Sequence, residues 1–224
     1  DTRLCIKNKG THNNVGTIIV HDGERTIFSY HERHDYKPKD WGVPKIIYFT
    51  SLPENNEIFY KILLSFLKQH RQTILAFNPG SGQLKQGLDS IRDILENTDI
   101  LFLNKEEAVT LTKEAPIEKL HKMLQDLGPK LTVITDGKNG ASASANAKVV
   151  TIKAFTDDKP VVDMTGAGDA FASGFLSAIH YKRPLKEALI WGAINSASVI
   201  KEIGGCKGLL DKKTMEAIVS TVIK

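Results

Sequence analysis

Val161-Val162-Asp163-Met164-Thr165-Gly166-Ala167-Gly168-Asp169-Ala170-Phe171-Ala172-Ser173-Gly174-Phe175 carries more chemical information than any other stretch of the 224 residues. Two glycines flank one alanine, an aspartate follows at once, and a helix-compatible run begins there. Glycine lets a backbone bend tightly and approach a ligand closely. The N–H groups that open the following helix lack intrahelical partners and carry about half a positive charge. Gly166, Ala167 and Gly168 therefore read as an anion cradle suited to a phosphate. Asp169, beside that positive field, is placed to take a proton from an attacking hydroxyl. An acidic residue on each side of Thr-Gly-Ala-Gly, with Ala-Phe-x-x-Gly-Phe after it, is far more restrictive than a lone Gly-x-Gly turn.

Outward from this stretch, strands and helices alternate as a doubly wound sheet requires, so the expected fold class is α/β with a central, mostly parallel sheet. Lys45–Phe49, Thr73–Phe77, Ile100–Leu103 and Thr132–Thr135 read as buried strands, with shorter strands at Ala141–Ala145 and Val149–Ile152. Helices are expected over Asn55–His70, with Ile58, Ile62, Leu63 and Phe66 on one face, up to Glu96 from Ile91 or earlier, from Lys105 to Thr112, and over Ile117–Leu127. Gly128-Pro129 stops the last of these. Three more finish the chain: Gly168–His180, Leu185–Lys201 and Lys212–Ile223. Near the start, Arg3–Ile6 is strand-like, and Val15–Val20 and Arg25–Tyr30 flank the turn signal Asp22-Gly23-Glu24 as a β-hairpin. No internal repeat or low-complexity linker interrupts the pattern.

Two further motifs follow predicted strands, at the ends where open α/β sheets bind ligands. Asn104-Lys105-Glu106-Glu107 opens a helix. Asn104 and Glu107, three apart, share a side of its first turn, which suits a hydrated Mg2+ and its phosphate oxygens. The same pair is also an ordinary capping box. Thr135-Asp136-Gly137-Lys138-Asn139-Gly140 can wrap the phosphates or ribose of a nucleotide with backbone groups, and is equally the text of a tight turn.

Composition excludes several classes. A chain of this length with 41% hydrophobic residues builds one sizeable domain. The net charge of +4, from 30 basic and 26 acidic residues spread along the chain, offers no basic patch for nucleic acid. Apolar runs fall short of the roughly 20 residues that span a membrane, and no signal-peptide pattern opens the chain. The two cysteines, Cys5 and Cys206, lack Cys-x-x-Cys spacing and fit a reduced, cytoplasmic setting. His31-Glu32-Arg33-His34 lacks the spacing that brings two imidazoles to one zinc.

Asp163-Met164-Thr165-Gly166-Ala167-Gly168-Asp169-Ala170-Phe171 resembles the signature of the ribokinase-like, or PfkB, carbohydrate kinases, which read Asp-Thr-x-Gly-Ala-Gly-Asp-x-Phe, with Met164 where the family usually has Thr. The resemblance implies a ribokinase-like three-layer sandwich with a small β lid: residues 1–42 a partial lid hairpin, 43–224 the nucleotide-binding and catalytic core, with Trp41-Gly42-Val43-Pro44 as the link. It implies ATP and Mg2+ as cofactors and transfer of the γ-phosphoryl group to a hydroxyl of a ribose- or fructose-like carbohydrate. Asp169 is then the general base, and the N–H groups of Ala167, Gly168 and Asp169 stabilise the charge that develops. Asn104 and Glu107 match the family's Asn-x-x-Glu element. Thr135, Gly137 and Gly140 match its Thr-x-Gly-x-x-Gly nucleotide element, and Asn195 is expected to border the adenine. Asp163 and Thr165, with the Gly204-Gly205 turn, stand where many relatives hold a monovalent cation such as K+, and the His31–His34 edge where some touch substrate.

In this family the Gly23-Glu24-Arg25-Thr26 hairpin lies well inside the chain, so an N-terminal part that carries a sugar-binding Asp and a Gly-Gly pair is expected to be missing here. Its loss would uncover a sheet edge and favour association, as a homodimer through the lid or that edge. Three other readings stay open: a nucleoside kinase of the same family, a vitamin kinase, against which the hairpin argues, and a non-catalytic nucleotide- or sugar-binding protein.

Overall fold

A computed structural model describes residues 5, 15–21, 24–30, 36, 42–52, 56–157 and 159–223. Strands β1 (Val15–His21) and β2 (Glu24–Tyr30) pair antiparallel as the expected hairpin, with Val15 opposite Tyr30 and His21 opposite Glu24. The turn residues Asp22 and Gly23, most of the Arg3–Ile6 strand, the His31–His34 segment, Trp41 and Asn55 lie outside the described residues.

The main sheet has six strands in sequence order: β3 (Ile46–Phe49), β4 (Ile74–Phe77), β5 (Ile100–Asn104), β6 (Leu131–Thr135), β7 (Ala141–Ala145) and β8 (Lys148–Ile152). β3 to β6 are parallel, and β7 and β8 close the far edge antiparallel. The parallel strands are short and apolar on both faces because helices cover both. One face packs Ala76, Ile100, Phe102 and Val133 against α6 (Ala167–His180), α7 (Leu185–Val199) and α8 (Lys212–Val222). The other packs Leu75, Phe77, Leu101, Leu103 and Ile134 against α1 (Glu57–Gln69), α3 (Leu88–Glu96), α4 (Lys105–Thr112) and α5 (Ile117–Asp126). Successive residues of each strand thus serve opposite cores, the period-two rule with no wet face. The result is the expected three-layer α/β sandwich.

Two details depart from the sequence reading. α1 buries Tyr60, Leu63 and Leu67, and Ile58 is 75% exposed in the first turn. The run Ile-Phe-Tyr-Lys-Ile-Leu-Leu-Ser-Phe-Leu is apolar around much of its circumference, so periodicity alone did not select the face. A short helix, α2 (Ser81–Lys85), follows Asn78-Pro79-Gly80, between the strand and the helix that the sequence reading placed. β7 and β8 join through Asn146 and Ala147 at φ 50° and 59°, the left-handed pair that matches the twist of a two-residue hairpin.

Candidate functional site

A cavity of about 340 Å³ opens at the C-terminal ends of the parallel strands. It is lined by Asn78 from the end of β4, by Asn104 and Glu107 from β5 and α4, by Thr135 from β6, and by Met164 to Asp169 at the start of α6. Parallel register places Asn104 directly beside Thr135. Sequence order and sheet order coincide, so motifs far apart in the chain converge on one rim.

The cradle is built by close packing of two glycines. Gly166 has φ +76°, and a Cβ there would stand 2.6 Å from Gly205 Cα. No side chain fits, and only glycine takes that φ without strain. Asp163 fastens the loop: Oδ1 accepts from the Thr165 N–H at 2.8 Å and Oδ2 from the Gly204 N–H at 3.0 Å. The Ala167 N–H donates to Met164 O at 3.3 Å and the Ala170 N–H to Gly166 O at 2.8 Å. Among the described residues, no acceptor stands against the N–H groups of Gly168 and Asp169. These two, rather than the three read from sequence, are the donors available to an anion.

Asn104 and Glu107 form the reciprocal capping box. Glu107 N–H donates to Asn104 Oδ1 at 2.8 Å, and Asn104 N–H to Glu107 Oε2 at 2.9 Å. Both side chains nonetheless line the cavity. Burial holds the Glu107 carboxyl above its ordinary range, outweighing the Asn104 N–H bond. A carboxylate short of solvent gains from a cation. Lys105, between them, pairs with Asp136 at 2.7 Å and ties the ends of β5 and β6 together.

Gly137 and Gly140 do not line the cavity with Thr135. They shape a 3-10 turn over Gly137–Asn139, held by Asp136 N–H to Gly140 O at 2.8 Å and Asn139 N–H to Asp136 O at 2.8 Å. Gly140, at φ +103°, packs so closely that a Cβ would stand 2.1 Å from Ile152 O. Asn195 is 4% exposed and also off the cavity lining. Its Nδ2 donates to Ala170 O at 2.8 Å and Ser173 Oγ at 3.1 Å, and its Oδ1 accepts from Leu210 N–H at 3.0 Å. In this geometry it joins α6, α7 and the approach to α8. No group of three or more His, Cys, Asp or Glu side chains placed to hold a metal ion occurs among the described residues.

Sequence reasoning passed over Tyr48 and Asn78. Tyr48, in β3, reaches Asp169 with its hydroxyl, and Asn78 reaches Tyr48. Neither belongs to a contiguous motif; Asn78 sits at a strand end, which was the available signal.

The Gly166–Gly168 turn and the Asp169 carboxylate thus stand together at the strand ends of a three-layer α/β sandwich. The chain belongs to the pfkB family of carbohydrate kinases, whose model matches residues 1–212. It is 30% identical over 183 residues to an ATP-dependent 6-phosphofructokinase of Thermoanaerobacterium thermosaccharolyticum, covering 78% of this chain and 56% of that protein. It is 30% identical over 172 residues to a cytidine kinase of Thermococcus kodakarensis, covering 75% and 59%. The chain thus spans less than two thirds of the length of these relatives. Its fold matches that of a putative ribokinase II of E. coli solved with ATP and Mg2+, with a TM-score of 0.73 at 17% identity over 92% of this chain and 71% of that one. No helix among the described residues is long and apolar enough to cross a membrane.

Proposed function

We propose that this chain is the core of an ATP-dependent kinase that phosphorylates a hydroxyl of a small carbohydrate. The observation that carries the reading is the convergence, on one cavity, of the Asp169 carboxylate with the two N–H donors of Gly168 and Asp169. The relative that acts on a phosphorylated fructose supports a sugar acceptor. A nucleoside acceptor is the second reading, favoured by equal identity to the cytidine kinase. Residues 1–42 form the lid part and 43–224 the core in this proposal, the chain is cytoplasmic, and a homodimer through the lid or the β3 edge is the expected assembly.

Mg2+·ATP supplies the phosphoryl group and neutralises charge on it when bound. Glu107, partly desolvated and with one carboxylate oxygen free of the capping bond, together with Asn104, fits the metal and its phosphate oxygens. Thr135, beside Asn104, with the backbone of the Gly137–Gly140 turn, would bound the nucleotide; Asn195 would border the adenine only through its backbone, since its side chain is committed. Gly166, Ala167 and Gly168 leave room for phosphate oxygens, and the Gly168 and Asp169 N–H groups stabilise the charge that grows in the transition state. Asp169 accepts the acceptor hydroxyl's proton. K+ at Asp163 and Thr165 is the finer part of the proposal, supported by the carboxylate and backbone that meet at Gly204.

ADP release from Mg2+·ATP, measured with ribose, fructose, fructose 6-phosphate, adenosine and cytidine, tests this. Acceptor-dependent ADP is expected from one class of acceptor. ATP binding by calorimetry without turnover for any of the five would instead support the non-catalytic reading.

A further inference from the structure

Tyr48 and Asn78 stand outside every motif and yet form a chain of hydrogen bonds that ends on the proposed base. Asn78 Nδ2 donates to Tyr48 Oη at 3.0 Å, and Tyr48 Oη stands 3.3 Å from Asp169 Oδ1. A phenol has one proton. With Asn78 donating into the oxygen, that proton is left for the carboxylate. The ring is held by an edge contact with Phe102 at 6.2 Å, and Phe102 is in turn edge-on to Phe175 of α6 at 5.4 Å. The hydroxyl is therefore aimed from a packed base across β3, β5 and α6.

We infer that Tyr48, oriented by Asn78, is a positioning residue that holds Oδ1 of Asp169 and leaves Oδ2 as the oxygen that takes the acceptor's proton. Burial, with the Asp169 charge adding to it against the bonds from Asn78 and Thr50, pushes the Tyr48 phenol up to about 12, so it remains a donor and does not compete as a base. The bond is longer than the usual O–H···O distance, as carboxylate contacts often are before substrate tightens them. The inference rests on Asp169 being the base of the proposed kinase.

Two measurements on the full chain separate failure of the inference from failure of that reading. The first needs no turnover. The five tyrosines are replaced by 3-fluorotyrosine, whose phenol is more acidic, and the fluorine resonance of residue 48 is identified by its loss in Tyr48→Phe. Asp169→Asn removes the neighbouring charge and is expected to move that resonance's titration to lower pH while the other four stay in place. An unmoved titration overturns the inference, whatever the chain catalyses. The second is kinetic. Tyr48→Phe keeps the ring and its packing, and is expected to lower kcat about 10-fold with KM for ATP within about 2-fold, the scale of one lost hydrogen bond to a charged group. In the Asp169→Asn background the same change is expected to have no further effect. An unaltered kcat in Tyr48→Phe, with Asp169→Asn inactive, overturns the positioning role and leaves the kinase reading standing. Full turnover in Asp169→Asn removes the base, and with it this inference.

Discussion

Among the described residues, two polar clusters on one sheet differ in how completely their groups are matched. Between α5 and the strands β6 and β7, His121 Nδ1 lies 2.7 Å from Thr132 Oγ1 and Nε2 lies 2.8 Å from Ser142 Oγ. One helical turn on, Gln125 exchanges bonds of 3.2 Å with the hydroxyl and carbonyl of Ser144. His121, Thr132, Ser142 and Ser144 are all buried. At the strand ends the reverse holds: Asp169 is exposed with one long bond, and two N–H groups beside it have no acceptor among the described residues. A buried group must be satisfied within the fold, so a matched cluster is architecture. Unfilled capacity gathered on a cavity is what a ligand completes.

The largest effect that tests this contrast comes from Asp169. Asp169→Asn is expected to reduce turnover by about 100-fold or more, close to 3 kcal/mol of barrier, with the melting temperature and ATP affinity little changed. Steady-state kinetics beside calorimetric ATP titration measure both sides. Loss of stability in place of turnover would put Asp169 with the architectural cluster. Asn195 is the opposite case. Its amide makes three internal bonds at 4% exposure, so Asn195→Ala is expected to cost on the order of 2–3 kcal/mol in urea unfolding, with ATP affinity unchanged. Weaker ATP binding at unchanged stability would move Asn195 to the ligand side of the comparison.

These assignments show where the sequence was legible. The cradle was, because its chemistry needs particular residues in one contiguous stretch: Gly166 is constrained by its φ of +76° and its contact with Gly205, and Asp169 follows within the same helix start. The strands and their mostly parallel pairing were legible too, since short apolar runs alternate there with helical periods. Tyr48 was not: 121 residues separate it from Asp169, and a tyrosine in an apolar strand looks like core. Asn195 was ambiguous for a related reason, because an asparagine on an apolar helix face serves equally an adenine edge or a carbonyl of the next helix. β7 reads Ala-Ser-Ala-Ser-Ala, which looks half-solvated, yet Ala141 and Ala143 join the core with α6 and α7 and its serines face His121 and Gln125. Only the partner helix reveals that the polar face is buried.

The matched cluster makes its own prediction through pH. Burial lowers the His121 imidazole from 6.5 to about 4, with Glu118 opposing weakly. The unfolded chain therefore binds a proton that the folded chain refuses between those values. Stability is expected to be flat above about pH 6.5, to fall as pH drops toward about 4, and to level off below, a loss on the order of 3 kcal/mol from this group. Urea midpoints at stepped pH, compared with His121→Gln, isolate it. A slope shared by the variant would assign the acid loss elsewhere.

The smallest expected effect lies between the two clusters. Lys105 and Asp136 meet at 2.7 Å with their side chains 42% and 31% exposed, at the rim of the cavity rather than under the sheet. Solvent screens such a pair, and ordering two side chains costs entropy, so a double-mutant cycle with Lys105→Met and Asp136→Asn is expected to give a coupling of about 0.5 kcal/mol in stability. The pair also holds the β5 end against the β6 turn, beside Asn104 and Thr135. A phosphate ligand that draws Lys105 away would break it, so the same cycle read in ATP affinity should have the opposite sign: Asp136→Asn frees the lysine and tightens binding, and Lys105→Met loosens it. Affinity unmoved by both would make Lys105 a brace between strand ends and nothing more, which would draw the boundary of the ligand-completed cluster inside Asn104 and Thr135.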